Sequence, residues 1–243
     1  MGAEMTNRAG DYVITFSGVR FWPLDPTPAE VRLVDVAHSL ALKVRWGGHC
    51  SRLYTVGTHS LRVAQVAQYL VRRGPPQVDE SFEPLVQLHA LLHDGHEAYL
   101  ADVPRPVKPF LHALVKRPGD RYATADDLAP WGGVENDVDA AIFAAFGLPE
   151  PTPEVAAFVR KADEILLHLE AAELFPPELE RDGAWAAMPE VPELKDDRKA
   201  IEAAAALRLP DPGWQTVKRL FAGEARWLAE LIGATGPALV PSP

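Results

Sequence analysis

The chain has 243 residues, of which 47% are hydrophobic, and it carries a formal net charge of −10 at pH 7. This length and apolar content suffice for one sizeable core, whereas the acidic balance argues against a polymeric nucleic-acid partner, whose phosphates favour basic surfaces. The single cysteine, Cys50, excludes an intramolecular disulfide and favours a reducing, cytoplasmic location. No apolar stretch reaches the length of a membrane span, so no membrane partner is expected.

The first predicted elements are two short strands. Residues 12–16 and 19–22 are rich in β-branched and aromatic residues, and a Ser-Gly turn signal separates them. Prolines at positions 23, 26 and 28 then interrupt any regular element. We therefore predict an N-terminal hairpin and linker over residues 1–28, followed by a single helical domain over residues 29–235.

The rest of the chain shows the apolar periodicity of helices. The first predicted helix covers residues 28–45 and ends at two glycines, and the second covers 59–73 with Thr58 as its N-cap. A third surrounds residue 93 and ends before two prolines. Further helices are predicted at 134–146, 153–174, 197–207 and 215–232, with a surface loop over 116–133, a proline-rich excursion over 176–198 and a frayed end from 233. The predicted fold class is all-α, a helical bundle with strand confined to the N-terminus.

The segment over residues 87–110 carries the most chemistry. His93 and Asp94 are adjacent, and Glu97 follows one helical turn later. An imidazole beside a carboxylate is costly in a core unless both are paired, and a divalent cation would turn both into ligands. The pair alone is a weak signal. His89, four residues before His93, could instead form a zinc pair with it, but that site would need a different third ligand.

Other candidate ligands lie far away in the sequence. His59 opens the second predicted helix, and Asp163 lies among apolar residues of the 153–174 helix. Two imidazoles and two carboxylates suit octahedral coordination of manganese, cobalt, iron or magnesium, with positions left for water and phosphate. Zinc is possible but suits so many oxygens less well.

The order H…HD…D of these residues resembles the HD-domain phosphohydrolase superfamily. Arg45-Trp46 ahead of the first histidine, Glu97, and the D-x-P-x-P-x-K pattern of residues 102–108 resemble its bacterial 5′-deoxynucleotidases. The strings F-W-P-L-D-P, D-V-A-H-S-L, G-G-H and Y-T-V-G-T-H-S resemble more closely the phage and bacterial members that include deoxyadenosine triphosphate triphosphohydrolases. The resemblance covers about residues 15–174.

This resemblance implies a metal-dependent enzyme and assigns roles to its residues. One divalent metal ion would be held by His59, His93, Asp94 and Asp163. Metal-activated water would attack phosphorus, with Glu97 as the general acid/base or water-orienting group. Asp102 would position the same water or contact the sugar, although a turn-capping role for it stays open.

Phosphate and base binding are assigned to a second set of residues. Phosphate oxygens favour cations of fixed geometry, so Arg45 is the first candidate. The secondary candidates for binding phosphate or base are Arg52, Lys108, His49 and Trp46. Core packing for Trp46 and a plain surface position for His49 are equally open.

Two positions depart from the family pattern. Relatives often carry an acidic or amide residue where this chain has Thr58, so a supporting contact to the metal is expected to be missing or replaced. His96 stands inside the HD-x-x-E segment, where relatives usually have a small residue. We expect His96 either to lie on the surface or to narrow the pocket.

Three classes of function are compatible with these features. The leading one is a deoxynucleotide phosphohydrolase, with triphosphate release from a dNTP favoured over 5′-deoxynucleotidase activity on a dNMP. The second is a non-catalytic nucleotide-binding HD module, and the third is a helical interaction domain that binds no metal. The resemblance to HD proteins of this type also implies a homo-oligomer. Three aromatic residues of the last predicted helix could line its interface or belong to the core: Trp214, Phe221 and Trp227.

Overall fold

A computed structural model describes residues 8–75, 79–108, 110–111, 130–181, 183, 188, 190–206 and 213–240. The described chain is mostly helical, with strand only near the N-terminus, which confirms the predicted fold class. Within the described ranges, no helix combines the length and apolarity that a membrane crossing requires. The predicted domain limits, the cytoplasmic location and the homo-oligomer stay predictions.

The predicted hairpin is present but shorter than expected. Strand β1 (Val13–Ile14) pairs with β2 (Arg20–Phe21) in antiparallel register. The turn between them is fastened to the helical body, because the backbone N–H and the hydroxyl of Ser17 both donate to Asp35 at 2.7 Å. Phe21 is fully buried and stacks on Tyr99 with ring centroids 3.7 Å apart, so apolar packing anchors the second strand.

The prediction of one helix over residues 28–45 is wrong. A 3₁₀ turn at Pro28–Glu30 is followed by extended backbone and then by α1 (Leu33–Leu42). Beyond α1 the chain pairs with the segment before the next helix, since Val44 bridges to Thr55 and Arg45 N–H donates to the Tyr54 carbonyl at 2.9 Å. These long-range backbone hydrogen bonds replace the helical ones and place Arg45 beside the start of α2 (Val56–Arg73).

The single helix predicted around residue 93, with its end before Val103, is wrong, because the chain forms two helices there. Helix α3 (Phe82–Leu92) stops before His93, and the short α4 (Glu97–Leu100) follows after a four-residue turn. A Cβ on Gly95 would lie 2.8 Å from the Leu92 carbonyl and 3.1 Å from the Ile142 side chain, so this turn packs too closely for a larger residue. The His93-Asp94 pair therefore lies at a helix end and not within a helix.

Helices α5 (Pro130–Phe146) and α6 (Pro153–Leu174) come next in the chain. The limits of α6 agree with the prediction, and its N-cap Thr152 accepts a hydrogen bond from Val155 N–H. Helix α5 begins four residues earlier than predicted. Residues 116–129 of the predicted surface loop lie outside the described residues.

The C-terminal third is also helical. Its elements are α7 (Pro177–Arg181), α8 (Glu193–Asp196), α9 (Arg198–Ala205), α10 (Trp214–Leu231) and a 3₁₀ turn at Pro237–Leu239. The last two predicted helices thus agree within two residues. The predicted excursion contains two short helices. The predicted fraying from 233 is wrong up to residue 240, because Ala238 is buried and Gly236 packs against the end of α5.

Helix α2 lies at the centre of the bundle, packed on α3, α6 and α9, while α10 crosses α1 and α3. Of the aromatic residues predicted for an interface or the core, two lie in or against the core and the third is exposed, while the interface stays a prediction. Phe221 is fully buried, Trp214 packs on the core, and Trp227 is 48% exposed. The first turn of α2, the end of α3 and the middle of α6 therefore meet in one place.

Candidate metal centre

Four predicted ligands converge at the point where α2, α3 and α6 meet. The Nε2 atoms of His59 and His93 are 3.3 Å apart. His59 Nε2 lies 3.5 Å from Asp94 Oδ2 and 3.1 Å from Asp163 Oδ1. The corresponding distances from His93 Nε2 are 3.3 and 3.8 Å. Residues more than a hundred positions apart in sequence thus present their ligand atoms to one small volume.

His59 is held in the first turn of α2 with its Nε2 atom directed to the centre. Thr55, not the predicted Thr58, caps this helix, and its hydroxyl accepts a hydrogen bond from Thr58 N–H. The ring is fully buried, and its Nδ1 donates to Glu170 Oε1 at 2.6 Å. A carboxylate behind a histidine in this way fixes the tautomer that leaves Nε2 free to bind metal.

His93 is oriented by a different partner. Its Nδ1 donates to the Ala90 carbonyl, one turn back in α3, at 2.7 Å. With both Nδ1 atoms of His59 and His93 acting as donors, the neutral rings direct two lone pairs at each other. Ligands about 2.1 Å from a common ion lie about 3 Å apart along an octahedral edge. The 3.3 Å separation therefore fits a shared divalent cation, which the two carboxylates would help to hold.

The charges of the cluster also favour a cation at its centre. Burial by itself would raise the pKa of Asp94, but His93, His59 and Arg45 hold it at about 2. Burial by itself would lower the pKa of His93, but Asp94 and Asp163 raise it to about 9. Each group is thus stabilised by the opposite charge of the others, and the centre attracts positive charge, as protons or as metal.

Glu170 is a site residue that sequence reasoning missed. It is fully buried, and besides His59 it accepts a hydrogen bond from the Tyr54 hydroxyl at 2.7 Å. Arg62 Nη1 in turn donates to that hydroxyl oxygen at 3.0 Å. The available signal was its position seven residues after Asp163, two turns along the same helix face, in an otherwise apolar stripe.

Arg45 lies beside the candidate metal centre and contacts two of the carboxylates there. Its Nη1 donates to Asp94 Oδ2 at 3.1 Å, and its Nε lies 3.5 Å from Glu170 Oε2. Only 13% of the side chain is exposed. Arg45 therefore connects Asp94, a candidate ligand, with Glu170, the hydrogen-bond partner of His59.

The other predicted phosphate and base ligands occupy varied positions. Arg52 pairs with Glu173 and lies over the Tyr54 ring. Lys108 donates to Glu135 at 2.9 Å. His49 is exposed. Trp46 packs edge-on against Phe175, with ring centroids 5.0 Å apart, which favours the packing alternative.

Glu97 and Asp102 lie on the α4 side of Asp94. Glu97 is only 5% exposed, and burial together with the charges of Asp94 and Asp102 raises its pKa to about 8. Burial also raises the pKa of the half-buried Asp102. Ala101, directly before it, has φ 89° and ψ 156°, a conformation that residues with a Cβ rarely adopt. The backbone is thus strained where it delivers Asp102 to the site.

Of the two predictions for His96, the one that placed it on the surface is wrong. The ring is 92% buried, since its exposed fraction is 8%. Asp139 of α5 accepts hydrogen bonds from its Nδ1 at 2.9 Å and from its backbone N–H at 3.1 Å. Although burial opposes it, Asp139 raises the pKa of His96 to about 9. The other departure, Thr58, shares a 3.0 Å hydrogen bond with Thr55 and so supports the helix start.

His89 does not join the centre. It packs edge-on against Phe143 with ring centroids 5.1 Å apart, and neither ring nitrogen has a hydrogen-bond partner among the described residues. Burial lowers its pKa to about 4. The zinc pair with His93 is therefore not favoured, because His93 already uses one nitrogen for Ala90 and turns the other to His59.

Comparison with known proteins agrees with the superfamily resemblance. A family model described as 5′-deoxynucleotidase YfbR-like matches residues 33–175. An uncharacterized protein of Rhodobacter capsulatus is 34% identical over 161 residues, which are 65% of this chain and 70% of that protein. The uncharacterized protein YfdR of Escherichia coli K12 is 29% identical over 163 residues, 67% of this chain and 72% of YfdR. The matched interval contains every residue of the converging cluster.

Proposed function

The chain belongs to the YfbR-like 5′-deoxynucleotidase family of HD-domain proteins, and we propose that it is a metal-dependent 5′-deoxynucleotidase. It would hydrolyse a deoxynucleoside 5′-monophosphate to the nucleoside and orthophosphate. Family membership favours this reaction over the triphosphate release that the N-terminal strings favour. The substrate is a small nucleotide in either case.

Two imidazole Nε2 atoms and two carboxylates, with each Nε2 within 3.8 Å of the other ligands, support this proposal most directly. A divalent cation bound by them would supply Lewis-acid charge to a phosphate oxygen and lower the pKa of water for attack on phosphorus. Glu170 and the Ala90 carbonyl keep the two imidazoles in the tautomer that binds metal. Arg45 keeps Asp94 ionised and oriented.

Glu97 is suited to handle the proton of the attacking water. It follows Asp94 by three residues, and its pKa of about 8 lets it take up and release a proton near neutral pH. One of its carboxylate oxygens, Oε2, is buried without a hydrogen-bond partner in the described part of the chain. Asp102, which interacts electrostatically with Glu97, completes the acidic side of the site, where water or the sugar would be held.

The pairing of the basic residues favours a monophosphate. A triphosphate carries more charge than a monophosphate and requires more cationic contacts. The predicted phosphate-binding cations already have carboxylate partners: Arg45 with Asp94, Arg52 with Glu173, and Lys108 with Glu135. Triphosphate binding would have to separate these pairs.

End-product analysis tests the proposal and separates the alternatives. Purified protein is incubated with dNMPs, dNTPs and the matching ribonucleotides in Mn²⁺, Co²⁺ or Mg²⁺, and the products are resolved by chromatography. We expect orthophosphate and nucleoside from dNMPs. Tripolyphosphate from a dNTP, with dNMPs untouched, would replace the proposal by the triphosphohydrolase. Nucleotide binding without turnover in any of the three metals would instead favour the non-catalytic module.

A further inference from the structure

A second group of potential ligands lies on the other side of Asp94. The candidate ligand atoms of Asp94, His96 and Glu97 are all within 4.8 Å of one another. Two of the three residues are buried, since His96 and Glu97 are only 8% and 5% exposed. The group combines one nitrogen and two carboxylate ligands, which manganese and similar divalent ions accept.

Two ligand atoms of this group have nothing to bind in the part of the chain that the structure describes. His96 Nε2 and Glu97 Oε2 are both buried and have no hydrogen-bond partner there. Glu135 Oε1 lies 3.7 Å from His96 Nε2, beyond hydrogen-bond length. Leaving such atoms buried and unpaired is costly, so their presence together points to a missing partner.

The arrangement behind His96 repeats the one behind His59. Each imidazole donates Nδ1 to a carboxylate on another helix, at 2.9 Å to Asp139 for His96 and at 2.6 Å to Glu170 for His59. In both cases the carboxylate leaves Nε2 as the atom that can bind metal. His96 is therefore held in the way that histidine ligands of metals are held.

The surrounding charges favour a cation as that partner. Asp94, Glu97 and Asp102 act on one another electrostatically, and Asp139 and Glu135 approach from α5. Arg45 and Lys108 each reach one of these carboxylates, Asp94 and Glu135 respectively. A phosphate monoester adds further negative charge, so its approach is unfavourable unless more positive charge is present.

We propose that Asp94, His96 and Glu97 hold a second divalent cation, of the Mn²⁺ or Mg²⁺ type, with Asp94 shared between the two sites. This inference rests on the proposed function, since paired cations stabilise both the attacking and the leaving oxygen in phosphate hydrolysis. One oxygen of Glu97 would bind the cation, and the other would remain to accept a proton. His96, which stands where relatives usually have a small residue, would make this site a property of the present chain.

Metal stoichiometry tests the second site without any turnover. The protein is stripped with chelator and dialysed against Mn²⁺, and bound manganese is measured by elemental analysis and by electron paramagnetic resonance. We expect two ions per chain with an exchange-coupled signal, because a shared carboxylate connects them. His96→Ala should bind one ion per chain with an uncoupled signal. His89→Leu, which also removes a buried imidazole but lies outside the group, should keep two coupled ions.

The proposal is overturned if the wild-type protein saturates at one uncoupled ion per chain, or if His96→Ala retains two. Should His96→Ala fail to fold by circular dichroism, the wild-type signal decides alone: coupled ions support the second site and an uncoupled ion refutes it. The outcome is separate from the proposed function. One uncoupled ion together with orthophosphate release from dNMPs would leave the nucleotidase and remove only the second site.

Discussion

The two sides of Asp94 differ in how completely their polar atoms are paired. On the α6 side, both imidazoles have Nδ1 partners and their Nε2 atoms lie within 3.8 Å of two carboxylates. On the α4 side, His96 Nε2 and Glu97 Oε2 have no partner among the described residues. On the α6 side the candidate ligands are oriented by hydrogen bonds within the protein, whereas on the α4 side two polar atoms remain available to bind a ligand.

The same contrast appears among buried histidines. His93 and His96 have carboxylate neighbours, and their pKa values are raised to about 9. His89, one turn before His93 and also enclosed at 2% exposure, has no described hydrogen-bond partner, and burial lowers its pKa to about 4. Burial alone therefore does not set the charge of an imidazole. The neighbouring carboxylates do: Asp94 and Asp163 for His93, and Asp139 for His96.

The largest effect is expected from Glu97→Gln, which removes the proposed general base from the α4 side of Asp94. Loss of a general base costs about 10²–10⁴-fold in kcat, because an amide cannot take up the proton. The ligands of the α6 side are untouched, so at least one Mn²⁺ per chain should remain. The readout is kcat for the best dNMP, together with manganese content.

The matched control is Glu164→Gln, at the position after Asp163 on α6. The Glu164 carboxylate is partly exposed and forms a 3.6 Å ion pair with Lys161. Its kcat should stay within about twofold of wild type, because an exposed ion pair contributes little. Unchanged turnover in Glu97→Gln would remove Glu97 from the mechanism.

The buried, neutral side chain of His89 should lower the free energy of unfolding of the protein in acid. Its pKa is about 4 in the folded protein and 6.5 for an ordinary histidine, so between these values the unfolded chain binds a proton that the folded chain does not. Stability is therefore full above pH 6.5 and falls by about 3 kcal/mol as the pH drops to about 4. Urea unfolding of wild type and His89→Leu over this range measures the difference.

The His89→Leu variant should lose less stability in acid than wild type, because leucine has no proton to bind. Other titrating groups act on both proteins, so they cancel in the comparison. Parallel pH profiles for the two proteins would contradict the burial of an unpaired, neutral imidazole at this position.

Glu170→Gln tests whether the carboxylate behind His59 supports metal binding on the α6 side. The amide keeps the shape of the side chain but loses the charge behind His59, and loss of such a supporting carboxylate weakens metal affinity about 10–100-fold. Competition with a fluorescent chelator measures the Mn²⁺ affinity. Glu173→Gln is the matched control, since Glu173 lies one turn further along α6 and pairs with Arg62 and Arg52 instead. Equal affinities in both variants would argue against a role for Glu170.

The smallest effect is expected from Ala101→Gly. Glycine adopts φ 89° without a steric penalty, so relief of strain should stabilise the fold by about 1 kcal/mol. Ala203→Gly, at an exposed position within α9, should instead lose about 1 kcal/mol. Thermal unfolding measures both. A loss in both variants would mean that the backbone before Asp102 is not strained.

Much of the fold follows from local sequence signals. The limits of α6 agree with the prediction because a capping threonine and a first-turn proline mark its start and a break in apolar periodicity marks its end. The prediction for α1 fails for a non-local reason. Residues that favour a helix locally are drawn into hydrogen bonds with the segment around Thr55, which no neighbouring residue signals.

By itself, the sequence determined the helical class, the family resemblance and the residues His59, His93, Asp94 and Asp163 as a set. Only the tertiary structure decided which groups support them. Glu170 sits in an apolar stripe and His96 beside the candidate ligands His93 and Asp94, and neither position reveals the partner that crosses from another helix. Helix signals are local, whereas the pairing of a buried imidazole depends on packing between helices far apart in the chain.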